Sequence, residues 1–120
     1  MLGNPIHDKS YQFAIDIVLL YRRLVKNQKE FVLSKQLLRS GTAIGALVKE
    51  AEHAQSKSDF LNKMNIALKE ANETEYWLNL LVDTKTIQRS ELCNLQNDCA
   101  EILKILIAFV KSTKKSLGRQ

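Results

Sequence analysis

The chain has 120 residues, of which 26% are charged and 45% hydrophobic, with a formal net charge of +5. That length fits one domain, and burying roughly two-thirds of the unfolded surface gives a core without disulfide or metal staples. One Pro and four Gly leave the interior without the punctuation that strands and hairpins require, which excludes a β-rich fold and points to an all-α one.

The longest apolar runs fall far below the ~18 residues a membrane span needs. The opening MLGNPIHDKSYQF lacks a basic segment followed by an apolar one. The expectation is a soluble, cytoplasmic protein with no membrane partner. Cys93 and Cys99 have neither a CxxC redox or zinc spacing nor the pattern of a secreted disulfide framework, so both are expected as reduced thiols. A pI near 9.3 favours an acidic partner, although abundant Asp and Glu make the placement of charge matter more than its sum.

Apolar periodicity predicts four helices. The first runs from near Ser10, read as its N-cap, to about Asn27, with stripes Phe13, Ile17, Leu20, Leu24 and Ala14, Val18, Tyr21, Val25. Ile15 and Leu19 fall among polar residues on its other side and are candidates for a subunit interface. The second helix spans about Phe31 to Ala54, with Leu33, Leu37, Ser40, Ile44, Leu47 and Ala51 on its seam. Gly41 and Gly45 inside it each cost ~1 kcal/mol of helix propensity. Their presence implies either close backbone packing or a slight kink at Ser40-Gly41-Thr42.

Ser58 or Asp59 is read as the cap of a third helix with seam Phe60, Met64, Ala67, Ala71, Thr74, Leu78, Leu81, reaching about Lys85. The fourth is capped near Ser90, carries Leu92, Leu95, Cys99, Ile102, Leu106 and Phe109, and extends to about residue 113. Ile105, Ile107 and Ala108 make its second half apolar almost all round, which suggests assembly and adds Ile105 and Ile107 to the candidate interface. Val110 onward reads as a frayed basic tail containing Lys111, Lys114, Lys115 and Arg119. Short connections favour an antiparallel up-down-up-down four-helix bundle.

No catalytic or metal-binding constellation emerges. Glu50-Ala51-Glu52-His53 contains one E-x-x-H, whereas a di-iron bundle needs two with inward carboxylates on the other helices. Ser40 lies on a seam, neither cysteine has a nearby His, and no strand-turn-helix elbow exists to present a nucleophile. Gly41 and Gly45 lie within a helix and cannot form a phosphate-binding loop. No cofactor and no small-molecule substrate is expected.

Surface charge is more informative. Lys35, Arg39, Thr42, Ala46, Lys49 and His53 recur at i+3 and i+4 steps and stack on one face of helix two. Arg22, Arg23, Lys26 and Lys29 add cations at the end of helix one. Such a surface either tracks phosphates or is simply solvated. Glu75 falls in the apolar seam of helix three, with Glu70 and Glu73 on an adjacent strip beside Trp77. A carboxylate inside a bundle must be paired, and Arg39 or another cation of helix two is the candidate partner for Glu75, which leaves open whether Arg39 faces solvent or that ion pair.

Arg39-Ser40, Ile44 and Glu50-Ala51, followed by Asp59-Phe60, Ala67, Glu73, Glu75 and Leu78, resemble the 23S ribosomal RNA intervening-sequence proteins. The accessory variability proteins of diversity-generating retroelements are similar to the same group. The first block corresponds to a pattern near RSxxSIxxNIAEG or AEA, the second to a short ELETxL-like stretch, and the resemblance spans roughly Ser10 to Val110. Leu47 stands where the family often has Asn, Lys49 replaces a small residue and Ala43 replaces Ser. These departures bear on roles built on the Asn and not on the fold. The resemblance implies a bundle that assembles as a ring, a pentamer by analogy, associated with structured RNA or with an RNA-handling partner such as a reverse transcriptase.

The functional expectation is a non-enzymatic oligomer that binds nucleic acid, RNA above all, with Lys35, Arg39, Lys49, His53, Arg22, Arg23 and Lys26 touching phosphates. The alternative is a protein-protein adaptor or scaffold ring whose charge serves solubility.

Overall fold

A computed structural model describes residues 5–118. Among them the chain forms four helices and no strand: α1 Pro5–Gln28, α2 Leu33–Glu52, α3 Lys57–Asp83 and α4 Arg89–Ser116. Met1–Asn4, Arg119 and Gln120 lie outside the described residues, and the proposed role of Arg119 in a basic tail lies there with them. The molecule measures 48 × 23 × 23 Å. A 28-residue helix is about 42 Å long, so the helices run along the long axis of a four-helix bundle.

The core follows the predicted periodicity. Phe13, Ile17, Leu20 and Leu24 of α1 are buried against Leu37, Ile44 and Val48 of α2 and the Met64, Ala67, Ala71, Leu78 line of α3. The fourth helix completes it with Leu92, Cys99, Ile102 and Leu106. Ala67, Ala71, Gly41 and Ser40 are small and buried, so the helices approach closely at mid-length. A Cβ added at Gly41 would lie 2.9 Å from Ile17 Cγ1, and one at Gly45 would lie 3.2 Å from the Ser10 carbonyl oxygen. The two glycines therefore serve backbone packing of α2 on α1. Ser40 and Thr74 bring their hydroxyls to 2.9 Å inside the core, which satisfies both where water cannot reach.

Helix ends differ from expectation. The first helix starts at Pro5, not near Ser10, because Pro with its fixed φ suits the opening turn. Ser10 is buried inside that helix, and its hydroxyl donates to the His7 carbonyl at 3.1 Å. Phe31 and Val32 precede α2 instead of opening it; Lys29 adopts a left-handed φ of 55°, and the Glu30 carboxylate accepts the amides of Val32, Leu33 and Ser34 at 3.3, 3.1 and 2.7 Å. Ser56, not Ser58 or Asp59, caps α3: its hydroxyl accepts the Asp59 amide at 3.0 Å, while the Asp59 carboxylate accepts the Gln55 amide at 3.3 Å. The fourth helix begins at Arg89 after Gln88, without a side-chain cap. It continues to Ser116, so Lys111, Lys114 and Lys115 are helical and not a frayed tail.

Two apolar assignments also shift. Phe60 is half-buried, edge-on to Phe109 at a centroid distance of 6.1 Å, and Leu61 takes its place in the core. Ile105 is half-buried and packs against the core, which removes it from the outward apolar surface. Ile15, Leu19 and Ile107 remain outward, with 38, 51 and 40% of their surface exposed.

Candidate nucleic-acid interface

The outward line of α2 is present, but it is not uniformly cationic. Lys35, Arg39, Lys49 and His53 are all exposed, and by helix rise the line spans roughly 27 Å. Arg39 is occupied by carboxylates from α3: its Nη1 lies 3.2 Å from Glu70 Oε1, and its Nη2 bonds to Glu73 Oε2. The same Glu73 oxygen accepts the Trp77 indole N–H at 3.0 Å. The Arg39 hydrogen bond, and then that of Trp77, hold the Glu73 carboxyl below its ordinary pKa. Hydrogen bonding to Glu73 in turn raises the Arg39 pKa.

The expected partner was Glu75, and that pairing is not formed. Glu70 and Glu73 sit three apart on the face of α3 that meets α2. Two further residues turn the helix by about 200°, which carries Glu75 toward Cys99 of α4. Glu75 is half-buried, and Thr74 occupies the seam position instead. Burial pushes the Cys99 thiol up to about 12, with the charges of Glu75 and Asp98 adding to it.

Near the far end of the α2 line, Lys63 lies 3.3 Å from Glu50, so Lys49 and His53 stand beside a neutralised pair. Glu50 and His53 do not reach a third ligand; among the described residues no group of three His, Cys, Asp or Glu side chains could hold a metal ion.

A denser cationic surface lies at the end of the bundle where α1 finishes. Gln28 donates to the Thr86 carbonyl, bringing the α1–α2 turn against the α3–α4 turn. Arg22, Arg23, Lys26, Lys29 and Lys35 lie toward the same end of the bundle as Lys85 and Arg89. The acidic residues there are already engaged. Glu91 pairs with Arg23 at 3.5 Å, Asp83 lies 3.7 Å from Arg89, and the Glu30 carboxylate faces backbone amides. Among the described residues Arg22, Lys26, Lys29, Lys35 and Lys85 form no ion pair.

Seven cations therefore face three carboxylates at this end. Sequence reasoning found Arg22, Arg23, Lys26 and Lys29 but not Lys85 and Arg89. Their contribution depends on two turns far apart in sequence meeting in space, for which helix periodicity carries no signal.

Comparison with known proteins gives a consistent result. No curated protein matches the chain. A crystal structure of a protein of unknown function from the S23 ribosomal protein family of Bacteroides thetaiotaomicron VPI-5482 is 60% identical over 88% of this chain and 98% of that one, with a TM-score of 0.86. The family model described as 23S rRNA-intervening sequence protein matches residues 4–108. The four-helix bundle and this match over most of its length place the chain in the 23S rRNA-intervening sequence protein family.

Proposed function

We propose that this protein is a non-enzymatic, homo-oligomeric four-helix bundle that binds structured RNA through exposed cations. The observation that carries the reading is the end of the bundle bearing Arg22, Lys26, Lys29, Lys35 and Lys85, where the neighbouring carboxylates are already engaged. Free amines and guanidinium groups gain more from phosphate than ones already paired, because binding releases counterions without breaking an ion pair. Lys49 and His53 extend the surface along α2, whereas Arg39 contributes less, being shared between Glu70 and Glu73. Phosphate contacts of this kind position the ligand and do not read sequence.

The antiparallel up-down-up-down course belongs to the same reading; pairs such as Arg39–Glu70, Glu50–Lys63 and Cys99–Ala71 support it. A cytoplasmic setting suits the free thiols of Cys93 and Cys99. Assembly as a ring, with a pentamer as the number implied by resemblance, would repeat each cationic end and multiply its field.

Titration with a structured RNA at several salt concentrations tests the function. Affinity is expected to fall steeply with salt, and Arg22→Ala with Lys26→Ala should reduce the slope of log K against log salt by about two. No binding at low salt, or binding indifferent to salt, overturns the proposal.

The alternative is an adaptor ring that engages another polypeptide, for example a reverse transcriptase. Tyr11, Ala14, Ile15, Val18, Leu19 and Arg22 line an apolar groove on the outer surface of α1, and that groove favours it. A protein partner that stays bound after nuclease treatment would support this reading, and loss of every partner with the RNA would oppose it.

A further inference from the structure

The turn between α1 and α2 carries two apolar side chains on open display. Phe31 is 56% exposed and Val32 71% exposed. Neither is on a frayed segment. Lys29 turns the chain through a left-handed φ of 55°, the Glu30 amide donates back to the Leu24 carbonyl at 3.1 Å, and the Glu30 carboxylate accepts the amides of Val32, Leu33 and Ser34. The Ser34 hydroxyl adds a bond to the Glu30 carbonyl at 2.7 Å. Six residues are thus locked around a projecting aromatic ring, and a preorganised tip loses little conformational entropy on binding.

The surroundings of that tip indicate its ligand. Lys26, Lys29 and Lys35 flank it along the chain, and Lys85 belongs to the α3–α4 turn that meets this one through the Gln28–Thr86 contact. An exposed ring among unpaired cations complements a chain that offers flat π-faces and phosphates together. A lipid surface fits less well, since one Phe and one Val present far less apolar area than an interfacial helix buries.

We propose that Phe31 is a stacking platform for an unpaired nucleotide, so that the cationic end prefers RNA loops or single strands to continuous duplex. This rests on the RNA-binding reading above. Phosphate contacts alone would hold duplex and loop alike; an aromatic face discriminates, because only an unstacked base can reach it.

The test compares fluorescence anisotropy of a labelled RNA hairpin having an unpaired loop with a fully paired duplex of equal length. Wild-type protein should favour the looped RNA. Phe31→Ala should weaken looped-RNA binding by about tenfold while leaving duplex affinity and the salt slope unchanged, and Phe31→Trp should retain the preference. Because Phe31 lies outside the core, both variants should keep the wild-type melting temperature, which is measured alongside.

Equal affinity of Phe31→Ala and wild-type protein for looped RNA overturns the stacking role alone. So does an equal loss on both RNAs, or a Phe31-dependent attachment to vesicles of equal phosphatidylcholine and phosphatidylserine without any effect on RNA. Wild-type protein that binds neither RNA overturns the RNA-binding reading, and the stacking role with it.

Discussion

At the scale of single residues, Gly41 and Gly45 show how sequence and packing constrain one another. Replacing a mid-helix Gly by Ala ordinarily gains about 1 kcal/mol of helix propensity. At Gly41 that gain meets Ile17, whose Cγ1 and Cγ2 would both lie 2.9 Å from the new methyl and which is itself fully buried. Overpacking of this kind costs about 1–3 kcal/mol, so Gly41→Ala is expected to lower the urea midpoint despite the better propensity. A raised midpoint would show that α1 and α2 separate freely at this contact. The close approach was one of the two readings that the mid-helix glycines allowed, and the 2.9 Å approach of Ile17 to a Cβ at Gly41 favours it over a kink. The partner of Arg39 was not. Glu70, Glu73 and Glu75 are all within reach of an approximate seam, and choosing among them needs the rotation of α3 about its own axis to be known to within one residue.

At the scale of elements, the existence of all four helices and most of their core positions followed from apolar periodicity, while their ends did not. Ser10 and Ser90 have the side chain of a cap, yet one is buried within α1 and the other lies inside α4. The turn before α2 is instead secured by Glu30, whose longer side chain reaches past two residues to the free amides and gives no short-range capping signal. Burial raises the Glu30 pKa, but the backbone hydrogen bonds from Ser34, Leu33 and Val32 and the Ser34 hydroxyl outweigh it and leave the pKa lowered. With the folded pKa below the unfolded one, the carboxylate stabilises the protein above the ordinary carboxyl pKa of about 4.3 and loses that contribution as pH falls through the folded value. Glu30→Ala should therefore destabilise the protein by about 1 kcal/mol near neutral pH. The difference from wild type should shrink as denaturation is repeated at progressively lower pH below about 5. A difference independent of pH would mean that Glu30 acts through packing and not through its charge.

At the scale of the whole molecule, an apolar strip runs along the flank of α1, apart from the cations Lys26, Lys29, Lys35 and Lys85 at the end of the bundle where α1 finishes. Tyr11, Ile15 and Leu19 follow one another at i+4 steps, all exposed, with Ala14 and Val18 beside them. Helical geometry stacks such residues on one face, and a contiguous apolar face on a charged protein marks an interaction surface. None of the three contributes to the core, so their substitution tests the proposed assembly without disturbing the fold. The double variant Ile15→Gln, Leu19→Gln is expected to scatter light with a lower mass than the wild type at equal micromolar concentration, with helicity by circular dichroism unchanged. If the proposed assembly and RNA binding both hold, this variant should also bind RNA more weakly at low salt, because each particle then presents one cationic end in place of several, and the slope against salt should fall with it. A wild-type particle with the 13.7 kDa mass of a single chain would overturn the assembly and leave the groove on α1 for a different polypeptide. An assembled double variant would place the subunit contact on another surface, with the exposed Ile107 of α4 the next position to substitute.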